Sequence, residues 1–353
     1  MRKYYPGITL FKFAGAVMIV LAHIKPFPLN AVLNTYIPSF SVLCSVVVSG
    51  FYVMAGFLAC KGWMHAAQPK KYIRQYVMWI GRVYALFCLL SFFTDPHSVV
   101  RTGSFAYRSL QFYIEPFLVV GPYRQLWFIP PLIVAIVLGY WAERGRRLVA
   151  AGALALLGFL VAASVIGPLQ IIVKHMLGDL TIYRYKHWML VQILVYNYLA
   201  YGFPFVFAGI FIAKWEKRFV ELNKWWLLAP ALLWSIAELA VIMVLYPGGY
   251  PHQMMLAHLP LTLLLFYGLL NVTSQWVQPY HGYLRRLSIV LFFAHWPLIH
   301  FNAWLLGFPL TLLSPGQTVL CIGLTFGQII LLERVIVWLQ RKYIPSRGIA
   351  LNS

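Results

Sequence analysis

Ile8-Thr9-Leu10-Phe11-Lys12-Phe13-Ala14-Gly15-Ala16-Val17-Met18-Ile19-Val20-Leu21-Ala22-His23-Ile24 is an apolar run broken by one cation and closed by one histidine. Its length and composition are those of a helix that crosses a bilayer. Arg2 and Lys3 precede it as they would precede a signal peptide. No A-x-A-like cleavage site follows, and Lys12 interrupts the apolar core, so the reading is a retained helix. Nine further runs of similar character follow, at roughly 37–60, 76–94, 125–142, 148–166, 188–213, 225–246, 253–270, 288–306 and 317–338. These runs predict an all-α integral membrane protein, a bundle of about ten transmembrane helices in one polytopic domain over residues 1–353.

Composition agrees. Hydrophobic residues make up 61% of the 353 and charged residues only 10%, against about 25% charged in ordinary soluble domains. A net charge of +20 would suggest nucleic acid in a soluble chain. Here the cations fall in short connections between apolar runs, which is how membrane proteins set their orientation. Counted on alternate sides, 18 of the 28 Lys and Arg lie on one side, 7 on the other, and Lys12, Arg82 and Arg334 lie within the runs. The positive-inside rule therefore predicts that both termini are cytoplasmic. The four cysteines, Cys44, Cys60, Cys88 and Cys321, sit in or beside apolar runs without CxxC spacing, which reads as core packing rather than a disulfide or metal framework.

Ionisable residues at membrane depth are costly and are therefore candidates for function. Lys12 and His23 are separated by eleven residues, which returns a helix to within about 20° of its starting direction over about 16 Å. The two side chains thus share one stripe, Lys12 toward the cytoplasm and His23 near the outer end. Packing through Gly15, Ala16 and Ala22, with Lys12 snorkelling inward, would account for the same pattern. Glu238, inside the seventh run, has no cation beside it in its own helix and is a candidate to orient His23 or bind an acceptor. Glu333, beside Arg334, is open to the same two roles or equally to a structural pair, and Gly323-x-x-x-Gly327 reads as a close helix contact. A metal site built from His23, His295 and His300 has no diagnostic spacing, and no metal is expected.

The order of short motifs along the chain resembles the membrane-bound acyltransferase-3 family. Lys12 to His23 resembles the family's Arg, ten residues, His on the first helix; Phe51-Tyr-Val-Met-Ala-Gly-Phe-Leu58 is similar to its aromatic run ending Ser-Gly-Phe. Gly81-Arg82-Val-Tyr84, Leu126-Trp127-Phe-Ile-Pro-Pro-Leu132, Phe203-Pro-Phe-Val-Phe-Ala-Gly209 and Leu291-Phe-Phe-Ala-His295 follow in the family's order. Lys12 stands where the family has Arg and Ala55 where it has Ser. The first change keeps a positive charge but loses the bidentate fork.

The resemblance implies a multi-pass O-acyltransferase of the bacterial cytoplasmic membrane. Its donor would be cytoplasmic acyl-CoA, usually acetyl-CoA, and its acceptor a hydroxyl of an envelope glycan or lipid-linked sugar. His23 would be the general base, assisted by Glu238, while Lys12, Arg82 and Trp127 would bind the donor. A histidine suits base catalysis near neutral pH, and an extended pantetheine arm is comparable in length to the Lys12–His23 separation. Outer connections 95–124 and 167–187 are long enough to shape an acceptor site. Membrane lipids are expected partners and nucleic acid is not. The alternative is a transporter or flippase for a small solute or lipid-linked glycan, for which an inverted repeat would be the mark.

Overall fold

A computed structural model of the chain describes residues 4–24, 39–94, 126–167, 194–222, 224–245, 255–307 and 313–343, and positions 169, 170, 173, 176 and 191. Nearly all of the two outer connections expected to gather an acceptor lie outside these residues. Each of the ten apolar runs carries helix: α1 Pro6–Ile24, α2 Ser39–His65, α3 Pro69–Thr94, α4 Ile129–Arg144, α5 Leu148–Ile166, α6 Phe203–Lys214, α7 Lys224–Leu245, α8 His258–Asn271, α9 His281–Leu305 and α10 Pro315–Tyr343. Six spans are long and apolar enough to cross a membrane. They comprise α1, α2, α5, α9, α10 and the continuous stretch Val195–Lys214 that ends in α6. Among the others, α4 and α8 are shorter, with 16 and 14 residues, and α3 carries Lys70, Lys71, Arg74 and Arg82.

α5 shows why such a chain needs lipid. Ala155, Phe159, Ala162 and Ala163 turn inward at helical spacing, while Leu154, Leu157, Leu160 and Val161 are exposed. A helix apolar all round, with one whole face uncovered by protein, belongs in hydrocarbon.

Two compact units make up the chain, one formed by Met1–Phe40 with Gly268–Ser353 and the other by Ser41–Tyr267. In the second, α2 and α6 touch backbone to backbone. A Cβ on Gly56 would strike the carbonyl oxygen of Val206, and one on Gly209 would strike that of Val53, with the Phe57 nitrogen 2.8 Å away. Two motif glycines thus have a single physical reason, because no side chain fits where two helix backbones meet. Gly323 and Gly327 behave differently. Nothing lies within 4 Å of a Cβ added at either, so their GxxxG spacing does not mark a close contact among the described residues. Gly209→Ala and Gly56→Ala should therefore cost about 1–3 kcal/mol or more and lower the yield of monodisperse protein on size-exclusion chromatography. Gly323→Ala and Gly327→Ala should purify like the parent.

One departure from regular helix lies in the same unit. Val195–Gly202 is π-helical, and the Phe203 N–H donates to the Tyr198 carbonyl five residues back. Pro204 follows, and a proline cannot donate the backbone bond that an α-helix would use there, so the wider turn absorbs the mismatch.

In the first unit, α9 lies between α1 and α10. Ala16, Val20, Leu287, Leu291, Ile299, Cys321 and Ile329 form its buried core. α9 and α10 run antiparallel, pinned near one end by Arg286 Nε to Glu333 Oε1 at 2.8 Å. Further along α9, Asn302 and Gln328 exchange amide hydrogen bonds of 3.0 and 2.7 Å, and Thr325 Oγ1 accepts from Asn302 at 3.1 Å. Buried polar groups in an apolar core need such partners. Glu333 pairs with Arg286 of α9, while its sequence neighbour Arg334 has Nε at 4.0 Å.

Candidate active site

α1 and α9 pack in parallel and in constant register. Thr9 Oγ1 meets His281 Nδ1 at 2.7 Å, and His23 Nδ1 meets His295 Nε2 at 3.3 Å. Both pairs are 272 residues apart in sequence. The same offset therefore holds over fourteen residues of each helix, two heptads and about 21 Å. Between the two polar contacts the seam is closed by small and aliphatic side chains, with Ala16, Ile19, Ser288 and Leu291 all buried.

The histidine pair has a defined proton arrangement. His295 Nδ1 lies 2.8 Å from the Leu291 carbonyl oxygen, one turn back on its own helix. A carbonyl only accepts, so Nδ1 of His295 carries the hydrogen and its Nε2 is a lone-pair acceptor. His23 repeats the pattern, with Nδ1 2.8 Å from the Ile19 carbonyl oxygen. Its Nδ1–H is therefore shared between Ile19 O and His295 Nε2. In the neutral His23 imidazole the basic lone pair must then sit on Nε2. This is the tautomer a general base requires, set by a carbonyl of its own helix and by a buried second histidine. His295 is fully buried and His23 is partly exposed, so the ring that would meet a substrate is the more accessible one.

Aromatic rings wall this pair. Trp296 stands edge-on to His23 with centroids 5.3 Å apart and lies 4.8 Å from the His300 ring. Pro297 follows within α9 and removes one backbone donor from the turn that carries His295 and Trp296. Among the described residues, no group of three or more His, Cys, Asp or Glu is arranged to hold a metal ion. At the other end of the seam stand Lys12 on α1 and Arg285 on α9, close enough for their charges to interact, with His281 beside both.

A model of the acyltransferase domain matches residues 5–334, nearly the whole chain. The chain belongs to the acyltransferase-3 family. It is accordingly a membrane acyltransferase, with an acyl donor and an acceptor. No curated protein and no solved structure matches it.

The remaining residues predicted for this acyltransferase's site lie in the other unit. Trp127, in the turn before α4, sits in an aromatic group with Tyr196 at 5.5 Å, Tyr201 at 5.6 Å and Tyr52 at 6.4 Å between centroids. The π-helical segment supplies two of these rings, and Tyr52 Oη donates to the Phe128 carbonyl at 3.1 Å. Arg82 is exposed on α3. Glu238 caps a helix start. Its two oxygens accept the backbone N–H groups of Leu256 and Ala257, each at 2.7 Å. These amides lie in the turn immediately before α8, where N–H groups have no partner within the helix, and a carboxylate there also complements the helix dipole. Beside His23 stands His295, which the sequence marked as the end of a motif and as one member of an unspecific three-histidine metal set. Equal spacing of Thr9 to His23 and of His281 to His295 was the available signal.

Proposed function

We propose that this chain transfers an acyl group, acetyl in the first instance, from cytoplasmic acyl-CoA to a hydroxyl of an envelope glycan or lipid-linked sugar, with His23 Nε2 as general base. One observation carries this reading: the His23 Nδ1–H is held by Ile19 O and His295 Nε2, which leaves Nε2 as the proton acceptor. The acceptor oxygen bonds to the thioester carbonyl carbon while its proton passes to Nε2. The carbon–sulfur bond then breaks, and the proton returns from the imidazolium to the departing thiolate, leaving ester, free CoA and neutral His23. Orientation of His23 is assigned to His295, and Glu238 to the start of α8. Lys12, Arg82 and Trp127 are assigned to the donor by their places in the family motifs.

The chain acts in the bacterial cytoplasmic membrane as one polytopic domain of ten spans with both termini inside. Besides the charge bias, parallel packing of α1 and α9 supports this alternation. The first and ninth of ten alternating spans cross in the same sense. The acyltransferase family does not favour the transport alternative. Protein purified in lipid and given radiolabelled acetyl-CoA with envelope glycan fractions should transfer label to alkali-labile esters on one fraction. Label appearing in no fraction, with the O-acyl groups of a deletion strain unchanged, would overturn the reading.

A further inference from the structure

The turn that joins α4 to α5 carries Arg144, Arg146 and Arg147 within four residues, all of them exposed. Its backbone closes α4 as a Schellman motif. The Arg146 N–H donates to the Glu143 carbonyl at 3.2 Å and the Arg147 N–H to the Ala142 carbonyl at 2.8 Å. Such a motif needs one residue in the left-handed region, a place that suits glycine. Gly145 stands next to that place, yet Arg146 occupies it with φ 55°, the one residue other than glycine with positive φ among the described residues. A bulky L side chain strains the backbone there. The chain therefore keeps a cation at this point against the preference of its own turn, and such outliers gather at functional positions.

The three guanidinium groups form no ion pair among the described residues. Arg144 lies over the Tyr140 ring, 5.8 Å from its centroid. Glu143, the acid of the same turn, is bridged to Lys214 at the end of α6 at 3.4 Å. The surroundings are those of a bilayer boundary. Trp141 and Val149 stand exposed before and after the turn, Trp215 is exposed next to Lys214, and the uncovered apolar face of α5 runs on from Val149. Tryptophan at headgroup level with aliphatic surface beyond it is the profile of lipid contact.

A cationic turn of this kind complements a ligand with an anionic head and apolar tails. We propose that Arg144, Arg146 and Arg147 bind the headgroup phosphate of an anionic phospholipid, phosphatidylglycerol in the first instance, with its acyl chains along α5. With both termini inside, this turn faces the cytoplasmic leaflet, where anionic headgroups gather basic segments. Orientation alone asks only for positive charge on that side. It does not ask for an arginine at the left-handed position, since a cation at any exposed neighbour would serve.

Purified protein in detergent, titrated with phosphatidylglycerol or phosphatidylcholine and followed by native mass spectrometry, tests this independently of orientation. One arginine at a charged lipid surface is worth about fivefold in affinity and three about 100-fold. The parent should therefore prefer phosphatidylglycerol by about 100-fold, and replacing all three arginines by glutamine should remove that preference. Arg146→Gly is the discriminating variant. It relieves the backbone, so without lipid it should melt above the parent, yet it should bind phosphatidylglycerol about fivefold more weakly with phosphatidylcholine unchanged. A parent that binds both lipids equally overturns the proposal, as does unchanged phosphatidylglycerol affinity in Arg146→Gly. A lower melting temperature of Arg146→Gly, or a parallel loss of both lipids, marks a structural role and overturns it as well. So does displacement of phosphatidylglycerol by acetyl-CoA, which assigns the turn to the phosphates of the donor.

Discussion

His23→Ala should lower turnover by about 10²–10⁴-fold while leaving donor affinity nearly intact. The alanine removes the Nε2 lone pair proposed to take the substrate proton, which the Nδ1 contacts to Ile19 O and His295 define. It removes none of the cations at the other end of the seam. A role in packing alone predicts the reverse pattern, with less folded protein and normal activity per surviving molecule. Turnover and acetyl-CoA binding measured on variants of matched monodispersity distinguish the two, and full specific activity in His23→Ala would end the catalytic assignment. Glu238→Gln is the informative contrast. It weakens the cap on α8, a loss of about 1 kcal/mol in thermal stability, and should leave turnover per folded molecule unchanged. A drop in turnover as deep as that of His23→Ala would restore the carboxylate to the catalytic machinery.

The second large effect is expected at His295, which touches His23 and is proposed to act through it. His295→Ala removes one of the two acceptors of the His23 Nδ1–H, leaving the Ile19 carbonyl, and loosens the hold on the imidazole. A loss of about 10-fold or more is expected, comparable to what removal of the hydrogen-bond partner of a metal-binding histidine costs. The fall should appear in kcat rather than in donor KM. His295→Gln is the discriminating variant, because its amide oxygen can still accept the Nδ1–H and should recover part of the lost rate. A structural histidine buried in the seam would show no such preference for an acceptor over alanine, and equal turnover of the two variants would overturn the positioning role. The orienting partner proposed here is an imidazole. It completes the tautomer without placing a fixed negative charge in the apolar seam, where an anion is costly.

Much of this protein could be read from local sequence because the bilayer imposes a local rule. Every backbone polar group must be satisfied within its own segment, so an apolar run of sufficient length must be helical, and each of the ten runs carries helix. Gly56 and Gly209 stood out as motif positions, but their shared purpose did not, because a backbone contact between α2 and α6 joins residues about 150 apart. The π-helical turn at Val195–Gly202 was also hidden, since a change of hydrogen-bond register leaves no mark in hydropathy.

The site divides along the same line. By itself the sequence determined an all-helical membrane chain, the acyltransferase-3 motifs and the Lys12–His23 stripe, all properties of single helices and their spacing. Only the tertiary structure decided what meets that stripe. It placed α9 parallel to α1 with one offset from Thr9–His281 to His23–His295. It gave His23 a histidine neighbour and bound both oxygens of Glu238 to the turn immediately before α8. The reason is physical: a hydrogen bond between helices depends on which faces pack and in what register. That is settled by side chains distant in sequence, such as Ala16 against Leu291 in one buried core, and not by the periodicity of either helix alone.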